Sequence, residues 1–277
     1  MNKSRTAVVI SASSDIGSAL CHRWLNNGWN VLGTYRTESD ETNLLRTAGV
    51  KIFHCELEDK VSIQAASAAL IQTGLTWDAL VMCPGSLEPV GPFSESSIDM
   101  WESSFQINFL SQVRLVHQLL PSRNLANPSG ACVIFLAGGG TNNAPVNYSS
   151  YIVSKIALMK MCELLDAEIP DTRFVIVGPG WVKTKIHAAT LKAGQNAGEN
   201  YEKTIHKLNS DECTAMEKVL DCCDWLLQSQ RSVVSGRNFS VVFDPWNTEE
   251  LNNQLLSDHN MYKLRRYGND WRAKNGT

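Results

Sequence analysis

Thr6-Ala7-Val8-Val9-Ile10-Ser11-Ala12-Ser13-Ser14-Asp15-Ile16-Gly17-Ser18-Ala19-Leu20 decides the fold. Residues 6–11 form an apolar run of strand length without alternation, the pattern of a strand buried on both faces of a parallel sheet. The run breaks into small and polar residues, and from Asp15 the period changes. Ile16, Ala19, Leu20 and Trp24 then share one helical face. A strand, a tight turn and a helix in this order aim backbone N–H groups and the positive helix end at one point, where a diphosphate can sit. Small residues let the backbone approach such a group, and Ser13 and Ser14 add hydroxyl donors.

The same unit repeats outward from this turn. Strand-like runs fall at residues 6–11, 30–35, 50–55, 79–83, 131–137, 173–177 and 239–243. Helical periods fall at 15–27, 60–72, 97–120, 149–168 and 211–228. Alternation of this kind predicts an α/β fold, a doubly wound parallel sheet of Rossmann type in three α/β/α layers. No internal repeat or low-complexity linker interrupts it, so one domain is expected over 1–277. Two stretches fall outside the repeat. Residues 185–210 are polar and rich in Gly, Asn and Lys, and an extension from about 245 ends in the basic, aromatic Met261-Tyr262-Lys263-Leu264-Arg265-Arg266-Tyr267. That end is read as a solvated helix or a subunit contact.

Composition narrows the class. Hydrophobic residues make up 43% and charged residues 19% of the 277, as in an ordinary globular protein. With a net charge of −3 and a pI near 6.1, neither nucleic acid nor an acidic membrane is expected as the partner. The eight cysteines form no C-x-x-C pair, and Cys55, Cys83 and Cys132 end or occupy apolar runs, which with no signal-like start points to a reducing cytoplasmic setting and no metal. The adjacent Cys222 and Cys223 suit a structural helix better than a redox pair.

Chemistry concentrates in Tyr151-Ile152-Val153-Ser154-Lys155. Four residues apart on a helix, Tyr151 and Lys155 share a face about 6 Å apart along the axis. A lysine held near a phenol stabilises the phenolate and lowers its pKa, making the tyrosine a general acid for carbonyl reduction or a base for alcohol oxidation.

Taken with these motifs in their order and spacing, the chain resembles the short-chain dehydrogenase/reductase family over about residues 5–243. That family's first turn reads T-G-x-x-x-G-x-G. Here Ile10, Ser11 and Asp15 replace the Thr and two glycines, and Gly17 matches. Asp15 beside a diphosphate would repel it, so it is expected to turn away and cap the helix. The resemblance implies a nicotinamide dinucleotide held by Ser11, Ser13, Ser14, Ile16 and Gly17 at the turn, and by Glu56 or Leu57 near adenine. Cys83, Pro84 and Gly85 stand where the family reads N-N-A-G, and would pass under a ribose. Pro179, Gly180, Val182 and Thr184 match P-G-x-x-x-T, which implies that Val182 meets the nicotinamide carboxamide and Thr184 a phosphate. At the end of the second strand, Tyr35 takes the place of the acid that favours NAD, and Arg36 can pair with a 2′-phosphate, so NADP is preferred over NAD.

The resemblance also assigns the catalytic group. Tyr151 is the acid/base, Lys155 its partner and a ligand of the cofactor, and Asn108 holds a water in a proton relay to the lysine. The family's serine, thirteen residues before the tyrosine, is here Gly138, within Gly138-Gly139-Gly140-Thr141-Asn142-Asn143. Backbone N–H groups of the glycine run, Thr141, or Asn142 or Asn143 are the replacements to weigh, Thr141 first. The resemblance further implies a homodimer or homotetramer, and a mobile flap over the substrate at 185–210. The flap's polar composition points to a polar small molecule, such as a sugar derivative. Two functions follow: an NAD(P)-dependent oxidoreductase with Tyr151 as general acid/base, or a catalytically impaired nucleotide-binding relative with a sensing or assembly role.

Overall fold

The computed structural model describes residues 4–267; Met1–Lys3 and the last part of the C-terminal extension, 268–277, lie outside the described residues. Seven strands alternate with helices. In chain order these are β1 (Thr6–Ile10), α1 (Asp15–Asn26), β2 (Asn30–Tyr35), α2 (Asp40–Ala48), β3 (Lys51–His54), α3 (Lys60–Gln72) and β4 (Ala79–Met82). Then come α4 (Ile98–Phe105), α5 (Ser111–Leu119), β5 (Ala131–Leu136), α6 (Ser149–Glu168) and β6 (Thr172–Gly178). The chain closes with α7 (Ala188–Ala193), α8 (Glu199–Asn209), α9 (Met216–Gln228), α10 (Arg231–Val234), β7 (Arg237–Ser240) and α11 (Glu249–Ser257).

The strands pair in the order β3-β2-β1-β4-β5-β6-β7, every pairing parallel. This is the doubly wound sheet expected from the β1 run. The strand order reverses between β1 and β4, and in such sheets ligands bind beyond the carboxyl ends of the strands at that reversal. The period-2 pleat divides the core. Ala7 and Val9 face Leu20, Trp24, Leu45 and the apolar side of α9, whereas Val8 and Ile10 face Ile63, Leu115, Leu158 and Cys162. All five residues of β1 and all six of β5 are buried, which explains their unbroken apolar runs.

Several segments differ from expectation. The helix expected at 97–120 is broken into α4 and α5 by a π-helical turn, Gln106–Leu110. Residues 185–210 are an ordered pair of short helices, α7 and α8, with 3₁₀ turns at Lys185–His187 and Gly194–Ala197. Lys192 of this segment pairs with Glu88, and its Asn200 donates to the Val146 carbonyl. Over 261–267 the extension is not helical, and it is only partly solvated: Met261 to Leu264 are half-buried, whereas Arg265, Arg266 and Tyr267 are exposed. Arg265 pairs with Glu163 of α6, Leu264 packs into the core, and the Tyr262 carbonyl accepts from Asn238 N at 2.8 Å. Strand β7 also begins and ends earlier than the run at 239–243, and α9 starts at Met216, after an irregular stretch. Among the described residues no helix is long and apolar enough to cross a membrane.

Candidate active site

A cavity of about 1310 Å³ opens at the carboxyl ends of β1, β4, β5 and β6. Its floor at one end is the first turn. Ser14 caps α1, its Oγ accepting from Gly17 N at 3.2 Å, so the cap expected of Asp15 belongs to its neighbour. Asp15 instead reaches across to residue 185, where its Oδ2 accepts from Lys185 N at 2.8 Å. Its carboxylate is therefore spent on the segment over the site rather than on the turn. Ser11 takes a left-handed backbone, with φ 59°, where the family's glycine would stand. Gly17 is required for a different reason: a Cβ there would lie 2.6 Å from the Ser11 carbonyl oxygen.

Of the residues expected to hold the dinucleotide, Ser11, Ser13, Ser14 and Ile16 line the cavity at this turn. Arg36, Glu56 and Leu57 line it at the β2 and β3 ends, and Cys83, Pro84 and Gly85 at the β4 end. Pro179, Gly180, Val182 and Thr184 line it after β6. Two do not. Gly17 lies beneath the turn, and Tyr35 is turned aside: its hydroxyl donates to Glu38 Oε1 at 2.5 Å, and Arg46 stacks over its ring at 4.9 Å. Glu38 also binds Arg46 through both oxygens at 2.7 Å, which holds its carboxyl down near 2. Arg36 is exposed in the cleft and has no hydrogen bond or ion pair among the described residues.

The tyrosine and lysine meet as their spacing requires. Lys155 is buried, 2% exposed; its Nζ donates to the Pro84 carbonyl at 3.2 Å and lies 5.7 Å from the centre of the Tyr151 ring. Burial depresses this ammonium to about 8, and burial pushes the Tyr151 phenol up to about 12. The lowered phenol pKa expected from the spacing is thus not present in the free cleft. Desolvation raises it, and the Lys155 ammonium, 5.7 Å over the ring, makes no hydrogen bond to the hydroxyl.

Asn108 lies outside the cavity lining. It is wholly buried in the π-helical turn, and its carboxamide clamps the segment after β4. Its Oδ1 accepts from Ser86 N and its Nδ2 donates to the Ser86 carbonyl, both at 2.8 Å. Its own carbonyl accepts from Gln112 Nε2 at 2.9 Å, and that same amide nitrogen reaches the Pro84 carbonyl that holds Lys155. Gln112 was not singled out from sequence, where it reads as one more residue of a regular helix.

Thr141 lines the cavity, but its hydroxyl is directed at the Met159 sulfur, 3.5 Å away, and makes no bond to Tyr151. Asn142 and Asn143 are exposed on the same rim. The flap residues His187 and Thr190 also line the cavity, together with Tyr148 and Trp181, which were not singled out from sequence. Tyr148 shares a hydrogen bond of 2.9 Å with Thr190 of α7. His187 stacks on Trp181 at 3.8 Å with its Nε2 2.9 Å from the Val182 carbonyl, and burial lowers its pKa. Cys222 and Cys223 are buried away from the cavity, with thiol pKa values pushed up by desolvation, which removes them as a redox pair. No group of His, Cys, Asp or Glu among the described residues is placed to hold a metal.

A cleft at the reversal point of the sheet, with tyrosine and lysine one helical turn apart on its wall, agrees with a family match across residues 5–216 to the short chain dehydrogenase model. The chain belongs to the short chain dehydrogenase family. Similar curated proteins include the human dehydrogenase/reductase SDR family member 2, mitochondrial, 28% identical over 86% of this chain and 85% of its own length. Another is the benzil reductase ((S)-benzoin forming) of Saccharomyces cerevisiae, 30% identical over 56% of this chain and 62% of its own. Among solved structures, a short-chain dehydrogenase/reductase from Saccharomyces cerevisiae superposes with a TM-score of 0.76 at 22% identity, covering 90% of this chain and 98% of that one. A variant actinorhodin polyketide ketoreductase with NADPH gives 0.73 at 21% identity, over 86% and 95%. The short chain dehydrogenase fold is shared throughout, and membership makes the chain an oxidoreductase of that type.

Proposed function

We propose that this short chain dehydrogenase transfers hydride between NADP(H) and a carbonyl or hydroxyl of a polar small molecule, with Tyr151 as general acid/base. One observation carries the reading: the turn that opens α1 and the Tyr151–Lys155 pair line a single cavity. The residues present fit a dinucleotide. The turn admits no Cβ at Gly17, its hydroxyls are free of charge, and its one carboxylate is drawn off by Lys185. Arg36, uncompensated in the cleft, supports the 2′-phosphate of NADP over NAD.

When bound, the nicotinamide supplies or accepts the hydride. In reduction the Tyr151 hydroxyl gives its proton to the carbonyl oxygen as that oxygen gains charge, and Lys155 stabilises the phenolate left behind. The phenolate then takes a proton back from water. Lys155 is held for this by the Pro84 carbonyl, and that carbonyl by Gln112. The flap supports a polar substrate, since Lys185, Thr190, Asn200, Lys203 and Lys207 all face the cavity. Met100, Leu110, Val153 and Leu164 leave apolar side chains 45–49% exposed on α4, α6 and the turn between α4 and α5, which supports a homodimer or homotetramer.

The test is NADPH consumption against a panel of ketones, with benzil and keto-sugars in it, in wild type and Tyr151→Phe. Turnover by wild type that is lost in the variant is expected. An NADPH-dependent rise in melting temperature without turnover on any carbonyl would favour the impaired nucleotide-binding reading instead.

A further inference from the structure

The glycine run after β5 is read above as the loss of a serine, but the packing around it describes something else. A Cβ built on Gly138 would lie 2.5 Å from Tyr151 Cε1 and 2.8 Å from its hydroxyl oxygen. Real Cβ atoms essentially never approach heavy atoms closer than 3.0 Å. Gly140, two residues on, has φ +97° and would place its Cβ 2.7 Å from Ile152, the next side chain of the same helix turn. Gly139 between them has nothing within 4 Å. The first turn of α6 is thus seated directly on the backbone at positions 138 and 140, and the phenol lies in the volume any side chain at 138 would claim.

Resting on the reading of Tyr151 as the acid/base, we propose that Gly138 is a positioning residue for it. The missing side chain is what admits the phenol to the end of β5, where it meets the substrate oxygen without a neighbouring side-chain hydroxyl. On this view a serine at 138 is not a repair. Its Cβ, before its hydroxyl enters the question, displaces the group that delivers the proton. Neither Thr141 nor the asparagines are needed to replace a hydroxyl whose place is taken.

The experiment is a thermal-unfolding cycle of Gly138→Ala, Tyr151→Ala and the double variant, with Gly139→Ala as a packing control. Overpacking at a seated ring lowers the melting temperature of Gly138→Ala by about 2–10 °C. In the Tyr151→Ala background the same change lowers it no further, and Gly139→Ala does not lower it at all. Gly138→Ala and Gly138→Ser then lose kcat alike, by about 10²-fold, with NADPH affinity kept. A melting temperature unchanged in Gly138→Ala overturns the proposal, as does a loss that persists without the ring, or a Gly138→Ser variant faster than wild type. The cycle needs no substrate, so its outcome stands apart from whether turnover is found.

Discussion

The carboxylate of Asp15 accepts from the backbone N–H of Lys185 at 2.8 Å and lies 3.8 Å from that residue's ammonium. The contact joins the turn that opens α1 to the start of the 185–210 segment across 170 residues of sequence. It explains how an acid is accommodated at the turn proposed to bind the dinucleotide.

Asp15→Asn keeps an oxygen for the Lys185 N–H and removes the charge. The variant is expected to bind NADPH more tightly, by up to about fivefold, the scale of a partly exposed charge interaction. Fluorescence titration of NADPH measures it, and weaker binding would show that the carboxylate helps the cofactor rather than tolerating it.

Arg36→Ala tests the choice of cofactor. A charge-assisted hydrogen bond to a phosphate contributes about 1.5–3 kcal/mol, or roughly 10- to 100-fold in Kd. NADPH should weaken by that factor and NADH hardly at all. Equal losses for both would move the 2′-phosphate away from this side chain.

Lys155 imposes a pH dependence on stability. Its folded pKa, about 8, lies below the 10.5 of a free lysine, so between these values the unfolded chain binds more protons. The cost of burying the ammonium is therefore full below pH 8 and fades as pH rises toward 10.5. Lys155→Met should unfold at higher denaturant than wild type at pH 7, with the gap narrowing by pH 10. Tyr151 acts in the opposite sense above pH 10: its phenol, raised to about 12, keeps its proton when folded, and stability falls through that window. A gap independent of pH would mean that Lys155 is not desolvated.

Gly17→Ala drives a Cβ against the Ser11 carbonyl and the Ser14 cap. Overpacking of about 1–3 kcal/mol is expected, lowering the melting temperature by roughly 2–10 °C, with NADPH binding lost as the turn opens. Calorimetry with and without NADPH reads both effects.

What was legible in the sequence follows from locality. The sheet could be read because residues such as Val8, Val9, Val133 and Ile134 are buried on both sides of the layer and must be apolar. Tyr151 and Lys155 could be read because one helix turn fixes their separation. Helix α2 escaped notice because only Thr42 and Leu45 are buried in it, although Ser39 at its start and Gly49 at its end mark its limits. The flap helices were hidden in the same way by polar faces: α8 buries only Thr204. No periodicity announces the wide turn at Asn108, and none could reveal that Thr141 faces Met159 or that Asp15 meets Lys185. Those depend on how separate loops are brought together.

Arg237, 2% exposed on β7, donates to the carbonyls of Leu255, Asp258 and Met261, while the adjacent Asn238 N–H is taken by Tyr262. A final strand would otherwise offer a bare hydrogen-bonding margin to any passing chain. Here a single guanidinium gathers the trailing polypeptide against that margin. Cutting the chain before 258 would leave the buried guanidinium with the Leu255 carbonyl alone of these three and, in the same stroke, uncover a border strand open to aggregation.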